Sequence, residues 1–136
     1  MTRVYAGGVW DIFHYGHLQL LRQARLLAGR DGEVIVGVIS DAGAKRLPII
    51  PFYQREAIVL NLACVDEVVE QPTHDSMEIL QGLPRLPDYL VHGSDAEPLA
   101  AAWFRSQGGE VVLFPYTEGV STTCLRALIA KAGTKT

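Results

Sequence analysis

Hydrophobic residues in this chain alternate between short continuous runs and longer segments with a helical period. The runs have the length of strands, and the amphipathic segments between them have the length of helices. Strands are predicted at 4–6, 33–39, 65–70, 88–92 and 110–114. Helices are predicted at 17–28, 52–62, 75–81 and 97–106, with a last helix that begins at Ser121. This order predicts a single α/β domain over residues 1–136, built on a doubly wound five-stranded parallel sheet.

The predicted sheet indicates where a ligand would bind. In Rossmann-like sheets of this kind, ligands lie beyond the carboxyl ends of the strands, where the strand order reverses. The loops after strands one, two, four and five contain His14, Lys45, Ser94 and Ser121. We therefore expect these four loops to converge on one crevice.

The helical periods also predict which side chains are buried. Candidates on the second helix are Ala57, Ile58, Leu60 and Leu62, and on the last helix Leu125, Leu128 and Ile129 share a face. Cys64 and Cys124 lie among apolar residues, are far apart and form no C-x-x-C pair. We expect both to be buried, reduced thiols of a cytoplasmic protein.

Composition and charge narrow the class of partner. A chain of 136 residues with 49% hydrophobic content suits one domain with a single core. Its net charge of -3 argues against a general basic surface, so we predict no nucleic-acid partner. No apolar run reaches the roughly 18 residues of a spanning helix, and no charged leader precedes a long apolar segment. We accordingly expect no membrane association.

The loop between the first strand and the first helix carries the strongest candidate chemistry. Gly7 and Gly8 are expected to let the backbone turn tightly and approach a ligand. His14 and His17, with Gly16 between them, lie where the helix begins. Unpaired backbone N–H groups and the positive end of the helix dipole favour an anion there, above all a phosphate. Read alone, an H-x-x-H pair could bind a metal but more often consists of surface residues, whereas the glycines and the helix start favour the anion site.

Two motifs together resemble a known family. Residues 14–17 match the H-x-G-H signature of the nucleotidyltransferase superfamily, and 7–17 resembles the opening of its cytidylyltransferase branch. Residues 117–123 resemble the T-E-G-[IV]-S-T-T segment of glycerol-3-phosphate, phosphocholine and phosphoethanolamine cytidylyltransferases. Further matches at 54–55, 65–68 and 91–93 extend the resemblance over almost the full chain.

The resemblance implies transfer of CMP from CTP to a small acceptor that carries a phosphate or phosphonate. Pyrophosphate leaves by direct in-line displacement, without a covalent enzyme intermediate. The resemblance also implies a homodimer that pairs near the first motif. We expect Mg²⁺ to be bound mainly through the CTP phosphates, and no residue is assigned to it.

The resemblance implies catalytic roles for His14, His17, Lys45 and Arg55. The two imidazoles would hydrogen-bond the triphosphate and the pentacoordinate transition state. Lys45 lies ten residues before Arg55, the spacing of a catalytic lysine in the resembling enzymes, and Arg46 is the alternative. Arg55 would pair with the acceptor or with phosphates, and a surface salt bridge is the alternative for it.

Most of the remaining site residues are also carried over from the resemblance. Tyr116, which departs from the family pattern, is expected to narrow the pocket entrance toward a compact anion and is assigned with Arg55 to the acceptor; aromatic packing is the alternative. Ser121, Thr122 and Thr123 would supply hydroxyls and amides at a helix start, as a second phosphate cradle. The full nucleotide-binding set is Gly7, Gly8, Val9, Trp10, Gly16, His92, Gly93, Ser94, Thr117, Gly119, Ser121, Thr122 and Thr123.

Three departures from the family pattern bear on the substrate. Ala63 and Tyr116 stand where the resembling enzymes have basic residues, and Ser94 stands where they have an aspartate. Residues 45–51 resemble nucleotidyltransferases that activate phosphonates, including a phosphonoformate cytidylyltransferase. A small phosphonate is therefore the first acceptor to consider. The alternatives are a glycerol-3-phosphate cytidylyltransferase, an adenylyltransferase that uses ATP, and a nucleotide-binding module without catalysis.

Overall fold

A computed structural model describes residues 1–94, 96–115 and 120–133 of the chain. All five predicted strands and all five predicted helices are present within these residues. In chain order they are β1 (Arg3–Gly8), α1 (Tyr15–Ala28), β2 (Glu33–Ile39), α2 (Phe52–Leu60), β3 (Glu67–Gln71), α3 (Met77–Gln81), β4 (Tyr89–Gly93), α4 (Ala101–Ser106), β5 (Glu110–Phe114) and α5 (Thr122–Gly133).

The five strands form one parallel sheet in the order β3-β2-β1-β4-β5. Tyr5, in the middle of β1, pairs with Ile35 of β2 on one side and with Leu90 of β4 on the other. The chain therefore winds outward through β2 and β3, then returns past β1 to build β4 and β5. This confirms the doubly wound, Rossmann-like α/β fold and places the reversal of strand order between β1 and β4.

Both faces of the sheet are covered by apolar side chains, as parallel strands require. Val4 and Ala6 of β1 point to the face covered by α1, where they pack with Leu21 and Ala24. Tyr5 points to the opposite face. There it packs with Ile35, Leu80, Leu90, Ala100 and Phe104.

Three helices begin at residues other than the predicted ones. The differences arise where a side chain caps the helix or where a turn at a proline precedes it. Helix α1 begins two residues early, at Tyr15, because His14 caps it. Helix α4 begins at Ala101 rather than 97, after a turn in which the Ala101 N–H bonds the Pro98 carbonyl. Helix α3 begins at Met77 rather than 75, where the Asp75 side chain accepts the Met77 N–H, and it ends at Gln81 as predicted.

The buried face of α2 differs from the predicted one. Arg55 and Val59, one turn apart, face the sheet, whereas Ile58 and Leu60 are exposed. The sequence pattern assigned the buried face to apolar residues and so missed a buried arginine.

Helix α5 also departs from prediction, because none of its residues is buried. Leu128 and Ile129 are 61% and 58% exposed. Cys124, on this helix, is exposed, so only Cys64 is the buried thiol expected of both. Among the described residues, no helix is long and apolar enough to cross a membrane.

The glycine pair does not form the predicted tight turn, since both residues belong to β1. A Cβ atom on Gly7 would collide with the side chain of Gln71, which lies across the sheet and accepts a hydrogen bond of 2.7 Å from the Tyr5 hydroxyl. Gly8 leaves room for the Trp10 ring in the same way. Gly7 and Gly8 therefore leave space for two side chains of the protein itself, those of Gln71 and Trp10.

Candidate active site

The two histidines of the first motif cap α1 reciprocally. The Gly16 N–H donates to His14 Nδ1 over 3.1 Å, and the His14 N–H donates to His17 Nδ1 over 3.3 Å. A neutral imidazole that accepts through Nδ1 must carry its proton on Nε2. The backbone therefore sets the tautomer of both rings and leaves an Nε2–H donor on each.

Burial keeps both imidazoles neutral. The rings stack with centroids 3.8 Å apart, and Trp10 and Phe13 pack around His17. Desolvation lowers the pKa of His14. Desolvation, reinforced by the neighbouring His14, lowers the pKa of His17 to about 3. At neutral pH the site thus offers uncharged donors to an incoming phosphate.

Gly16 allows the starts of α1 and α5 to approach each other. A Cβ atom on Gly16 would lie 2.9 Å from His14 Cε1 and 3.3 Å from the Val120 carbonyl oxygen. At the second helix start, the Ser121 hydroxyl accepts the Cys124 N–H over 3.0 Å. Ser121 is therefore the N-cap that the sequence predicted.

The first cavity lies at the carboxyl ends of β1 and β4, where the strand order reverses. Its volume is about 200 Å³, and both helix starts contribute to its wall. It is lined by Gly7, Gly8, Val9, Trp10, His14, Gly16, His17, Leu20, His92, Gly93, Phe114, Pro115, Val120 and Ser121. Ser94, predicted as part of this set, is exposed and follows the lining residues of β4.

A second hollow, of about 270 Å³, adjoins the first and shares Val9, Trp10 and His17 with it. We call it the cationic hollow. It is lined by Val9, Trp10, Asp11, His17, Ala44, Lys45, Arg46, His74, Thr122, Thr123 and Arg126. The loops after β1, β2 and β5 therefore converge, but on two adjoining spaces that meet at His17. The loop after β4 does not line either space through Ser94, and β4 contributes His92 and Gly93 from the strand itself.

The loop between these spaces is strained. Trp10 and Ile12 have positive φ angles of 57° and 46°, a region that bulky and β-branched residues rarely adopt. The Trp10 indole N–H donates to the Gly37 carbonyl over 2.9 Å and the Ile12 N–H donates to Asp11 over 3.1 Å. Such strain concentrates at functional sites, where the surroundings hold it in place.

Asp11, which the sequence reasoning did not single out, organises this region. Its buried carboxylate accepts the N–H groups of Ile12, Ile49 and Ile50 and a 2.6 Å hydrogen bond from Arg126 Nη2. Burial alone would raise the pKa of Asp11, but the Ile49 and Ile50 N–H groups and Arg126 hold it below its ordinary value. The sequence signal that could have identified Asp11 is an acidic residue between the first strand and the H-x-G-H motif.

Asp11 also holds the start of α5. The Thr122 hydroxyl donates to the Asp11 carbonyl over 3.0 Å. The hydroxyl proton of Thr122 is therefore used within the protein, which corrects the prediction that it is offered to phosphate. Thr123 lines the cationic hollow beside it.

Arg55 is buried and lines neither of the two spaces, which corrects its predicted roles in catalysis and acceptor binding. Its side chain is 0% exposed and ion-pairs with Asp41 at 2.7 Å. The guanidinium also donates to the carbonyls of Val9, Ile39 and Ile50 over 2.6, 2.8 and 2.8 Å. The buried guanidinium of Arg55, on α2, therefore holds the backbone that follows β1 and β2 in place.

Lys45 and Arg46 are exposed at the rim of the cationic hollow, on a loop fixed at several points. The Lys45 N–H donates to His74 Nε2 over 3.2 Å, and Asp41 accepts the Phe52 N–H at the start of α2. Both cations are placed to meet a phosphate near His17. Their roles remain predictions.

Three predicted site residues and the predicted metal ion are not assigned a position. Tyr116, Thr117 and Gly119 lie outside the described residues. Within the residues that are described, no group of three or more His, Cys, Asp or Glu side chains could hold a metal ion.

Facing helix starts at a strand-order reversal, one carrying neutral imidazole donors, define the site of a nucleotidyltransferase. The chain belongs to the cytidylyltransferase-like family, whose model matches residues 5–127.

The chain is similar to part of the bifunctional protein HldE. It is 37% identical to the Klebsiella pneumoniae protein over 97% of this chain and 28% of that protein. It is 38% identical to an Escherichia coli K12 protein of the same name over 88% of this chain and 26% of that protein. The chain thus spans about a quarter of the length of these curated relatives.

Two solved structures share the fold. The lipopolysaccharide core biosynthesis protein of Thermoplasma volcanium is 28% identical with a TM-score of 0.69, over 86% of this chain and 97% of that one. A protein of unknown function from Archaeoglobus fulgidus is 22% identical with a TM-score of 0.61, over 88% and 94%. The second likeness concerns the fold alone.

Proposed function

We propose that this chain transfers CMP from CTP to a small acceptor that carries a phosphate or phosphonate, and that pyrophosphate is released. One observation carries the proposal: His17 separates a partly apolar cavity from a cationic hollow, and its neutral ring retains a donor. The nucleoside fits the first space, and the charged groups fit the second.

The proposed reaction is a single in-line displacement. An acceptor oxygen forms a bond to the α-phosphorus while the bond from that phosphorus to the bridging oxygen breaks. The electron pair remains on the departing pyrophosphate. His14 and His17 donate through Nε2–H to phosphoryl oxygens whose negative charge grows in the transition state, so no proton transfer from them is needed.

Lys45 is the proposed cation at the α-phosphate, and Arg46 is the alternative. Both side chains are exposed at the rim of the hollow, so they can approach a bound triphosphate without breaking a described ion pair. Mg²⁺ carried by the triphosphate would neutralise phosphate charge.

The acceptor has three candidates. Residues 45–51, which carry the two rim cations, favour a small phosphonate such as phosphonoformate through their resemblance to phosphonate-activating enzymes. The similarity to a lipopolysaccharide core biosynthesis protein favours a sugar phosphate. Glycerol 3-phosphate is a third acceptor to compare. All of them present a phosphoryl oxygen as nucleophile.

ATP is the second candidate donor. Ser94 replaces an aspartate of the cytidylyltransferase pattern immediately after the β4 residues that line the first cavity. A serine lacks the carboxylate acceptor that a cytosine amino group would use, so the preference for CTP depends on other contacts.

Two properties of the whole protein are also proposed. A homodimer is implied by the resemblance, and Tyr15 within the first motif is 53% exposed where that pairing would occur. An exposed thiol at Cys124 suits a reducing compartment, which supports a cytoplasmic location.

The test is pyrophosphate release with Mg²⁺ and either CTP or ATP, against phosphonoformate, glycerol 3-phosphate and a panel of sugar phosphates. The proposal predicts release with CTP and one acceptor class, together with a CMP-linked product. Release with ATP alone would establish the second donor. Tight CTP binding without turnover on any acceptor would instead support a non-catalytic nucleotide-binding module.

A further inference from the structure

The loop from β2 to α2, residues 40–51, lies against the backbone that follows β3. We call it the lysine loop, because it carries Lys45. The Ser40 hydroxyl donates to the Pro72 carbonyl over 3.2 Å. A Cβ atom on Gly43 would collide with the same carbonyl oxygen, so only a glycine allows the two backbones to approach this closely. The first residues of the lysine loop are therefore fixed against the residues after β3.

The middle of the lysine loop has a single described anchor. Its last part is held by Asp11, which accepts the N–H groups of residues 49–50. Between the two ends, and counting the described residues alone, segment 44–48 makes one hydrogen bond. It runs from the Lys45 N–H to His74 Nε2 over 3.2 Å. His74 is therefore the side chain that holds the backbone of the predicted catalytic lysine.

This contact requires a neutral His74 ring. An imidazole that accepts through Nε2 carries its proton on Nδ1, whereas a protonated imidazole donates through both nitrogens and accepts through neither. Desolvation, followed by the charges of Lys45 and His92, lowers the pKa of His74 below its ordinary value of 6.5. The ring is therefore an acceptor at neutral pH, and it loses this capacity as the pH falls.

The surroundings of His74 also favour the neutral ring. His74 borders the cationic hollow together with Lys45, and it borders a smaller cavity of about 50 Å³ together with His92. Its neighbour in the chain, Asp75, accepts the Met77 N–H. The other charged or titratable groups that line these spaces are Asp11, His17, Arg46 and Arg126. Three cations against one carboxylate in the hollow oppose the addition of a proton to His74.

We propose that His74 positions Lys45 for the transfer reaction, by holding the Lys45 backbone so that its side chain enters the cationic hollow beside His17. This inference rests on the proposed function and deepens it. Lysine has a flexible four-carbon stem, and a backbone that is already ordered loses less conformational entropy when the ammonium meets the α-phosphate. His74 acts through Lys45, so it is a positioning residue and needs no contact with the nucleotide.

The first experiment follows the Lys45 backbone amide itself, by hydrogen exchange detected with NMR. His74→Gln keeps an acceptor where Nε2 lies, whereas the shorter His74→Asn does not reach. The protection factor of the Lys45 amide should fall about 3- to 10-fold in His74→Asn and stay near the wild-type value in His74→Gln. The Ile49 amide, which Asp11 accepts, is the internal control and should not change. Equal protection of Lys45 in wild type and a folded His74→Asn variant would overturn the inference.

The same measurement as a function of pH needs only the wild-type protein. The protection factor of the Lys45 amide should be highest above the ordinary pKa of 6.5 and should fall as the pH is lowered through the depressed pKa of His74. In His74→Gln it should stay constant, because an amide does not titrate. Equal wild-type protection factors at about pH 7 and about pH 4.5 would overturn the inference even if neither variant folds.

The second experiment asks whether His74 acts through Lys45. In steady-state assays of pyrophosphate release, His74→Asn should lower kcat about 3- to 10-fold with little change in KM for the nucleotide, and His74→Gln should restore kcat. In a Lys45→Ala background, His74→Asn should have no further effect, because the side chain that it positions is gone. An undiminished effect in that background would overturn the inference.

Failure of the proposed function and failure of this inference give different results. If wild type transfers to no acceptor, the proposed function fails, and hydrogen exchange still decides whether His74 holds the Lys45 backbone. If wild type is active but the Lys45 amide is equally protected in wild type and His74→Asn, the inference fails and the proposed function stands.

Discussion

The imidazoles of His14 and His17 stack 3.8 Å apart, and each accepts a backbone N–H of the same helix start through Nδ1. In most capping boxes, side-chain oxygens perform this role. Here two imidazoles do so, and the cap leaves their opposite nitrogens as donors toward the ligand space. The same two side chains therefore cap the helix and carry the donors to which phosphate binding is assigned in the proposed function.

This dual role allows the cap and the donor of His17 to be separated by mutation. In His17→Asn, the amide oxygen replaces Nδ1 as acceptor, so the cap persists while the Nε2 donor is lost. We expect near wild-type stability and turnover reduced by about 100- to 1000-fold. Thermal melts and pyrophosphate release measure the two effects.

His17→Gln is the matched variant, because its amide nitrogen replaces Nε2 while the cap is lost. It should retain more turnover than His17→Asn and lose about 0.5–2 kcal/mol of stability. Equal turnover in the two variants would remove the Nε2 donor from the mechanism.

We expect Arg55 to stabilise the fold rather than to contact substrate. Arg55→Met leaves three carbonyls and the Asp41 carboxylate without their donor, which should cost about 3–5 kcal/mol in the free energy of unfolding. Urea denaturation measures the loss. Asp41→Asn, which keeps an oxygen acceptor for Arg55, should cost clearly less. A stable Arg55→Met protein with abolished turnover would restore the direct substrate contact predicted from the sequence.

Lys45 and Arg46 can be distinguished because neither has an ion pair among the described residues and both are exposed. We expect Lys45→Ala to reduce kcat at least tenfold and Arg46→Ala to reduce it less, with unfolding free energies within about 0.5 kcal/mol of wild type. Single-turnover rates at saturating CTP give the comparison. The reverse order would make Arg46 the cation at the α-phosphate.

The depressed histidine pKa values predict how stability depends on pH. The unfolded chain binds a proton at His17 near the ordinary pKa of 6.5, whereas the folded chain does not until about 3. The free energy of unfolding should therefore be highest above pH 6.5 and fall as the pH is lowered toward 3. His17→Asn should flatten this dependence between pH 6.5 and 4.5, as measured by urea titrations. An unchanged slope would show that His17 titrates normally in the folded state.

Strands, helices and the helix start at the H-x-G-H motif were predictable because each depends on local sequence. The continuous run at 33–39 specifies a strand buried on both faces, and Ser121 specifies a helix start. Arg55 was misassigned because its carbonyl partners are Val9 after β1, Ile39 at the end of β2 and Ile50 before α2, an arrangement that no local period encodes. The apolar face of α5 was predicted to be buried but is exposed. A helical period of apolar residues indicates a face suited to burial, but it does not identify a partner that covers this face.

The pairing of Asp11 with Arg126 at the site also could not be predicted from local sequence. They are 115 positions apart in sequence, yet they form one ion pair at the boundary of both helix starts. A motif indicates that an acid follows the glycines, but only the fold shows that its partner comes from the last helix.

The central claim is that two facing helix starts hold a nucleoside triphosphate for displacement at its α-phosphorus. Phosphorus-31 NMR tests it most directly, with wild-type and His17→Asn protein, CTP or ATP, Mg²⁺ and the acceptor panel. The account predicts that pyrophosphate and a nucleotide-linked acceptor appear together with wild type and are nearly abolished in the variant. Equal product formation by both proteins, or no product from either nucleotide with any acceptor, would contradict it.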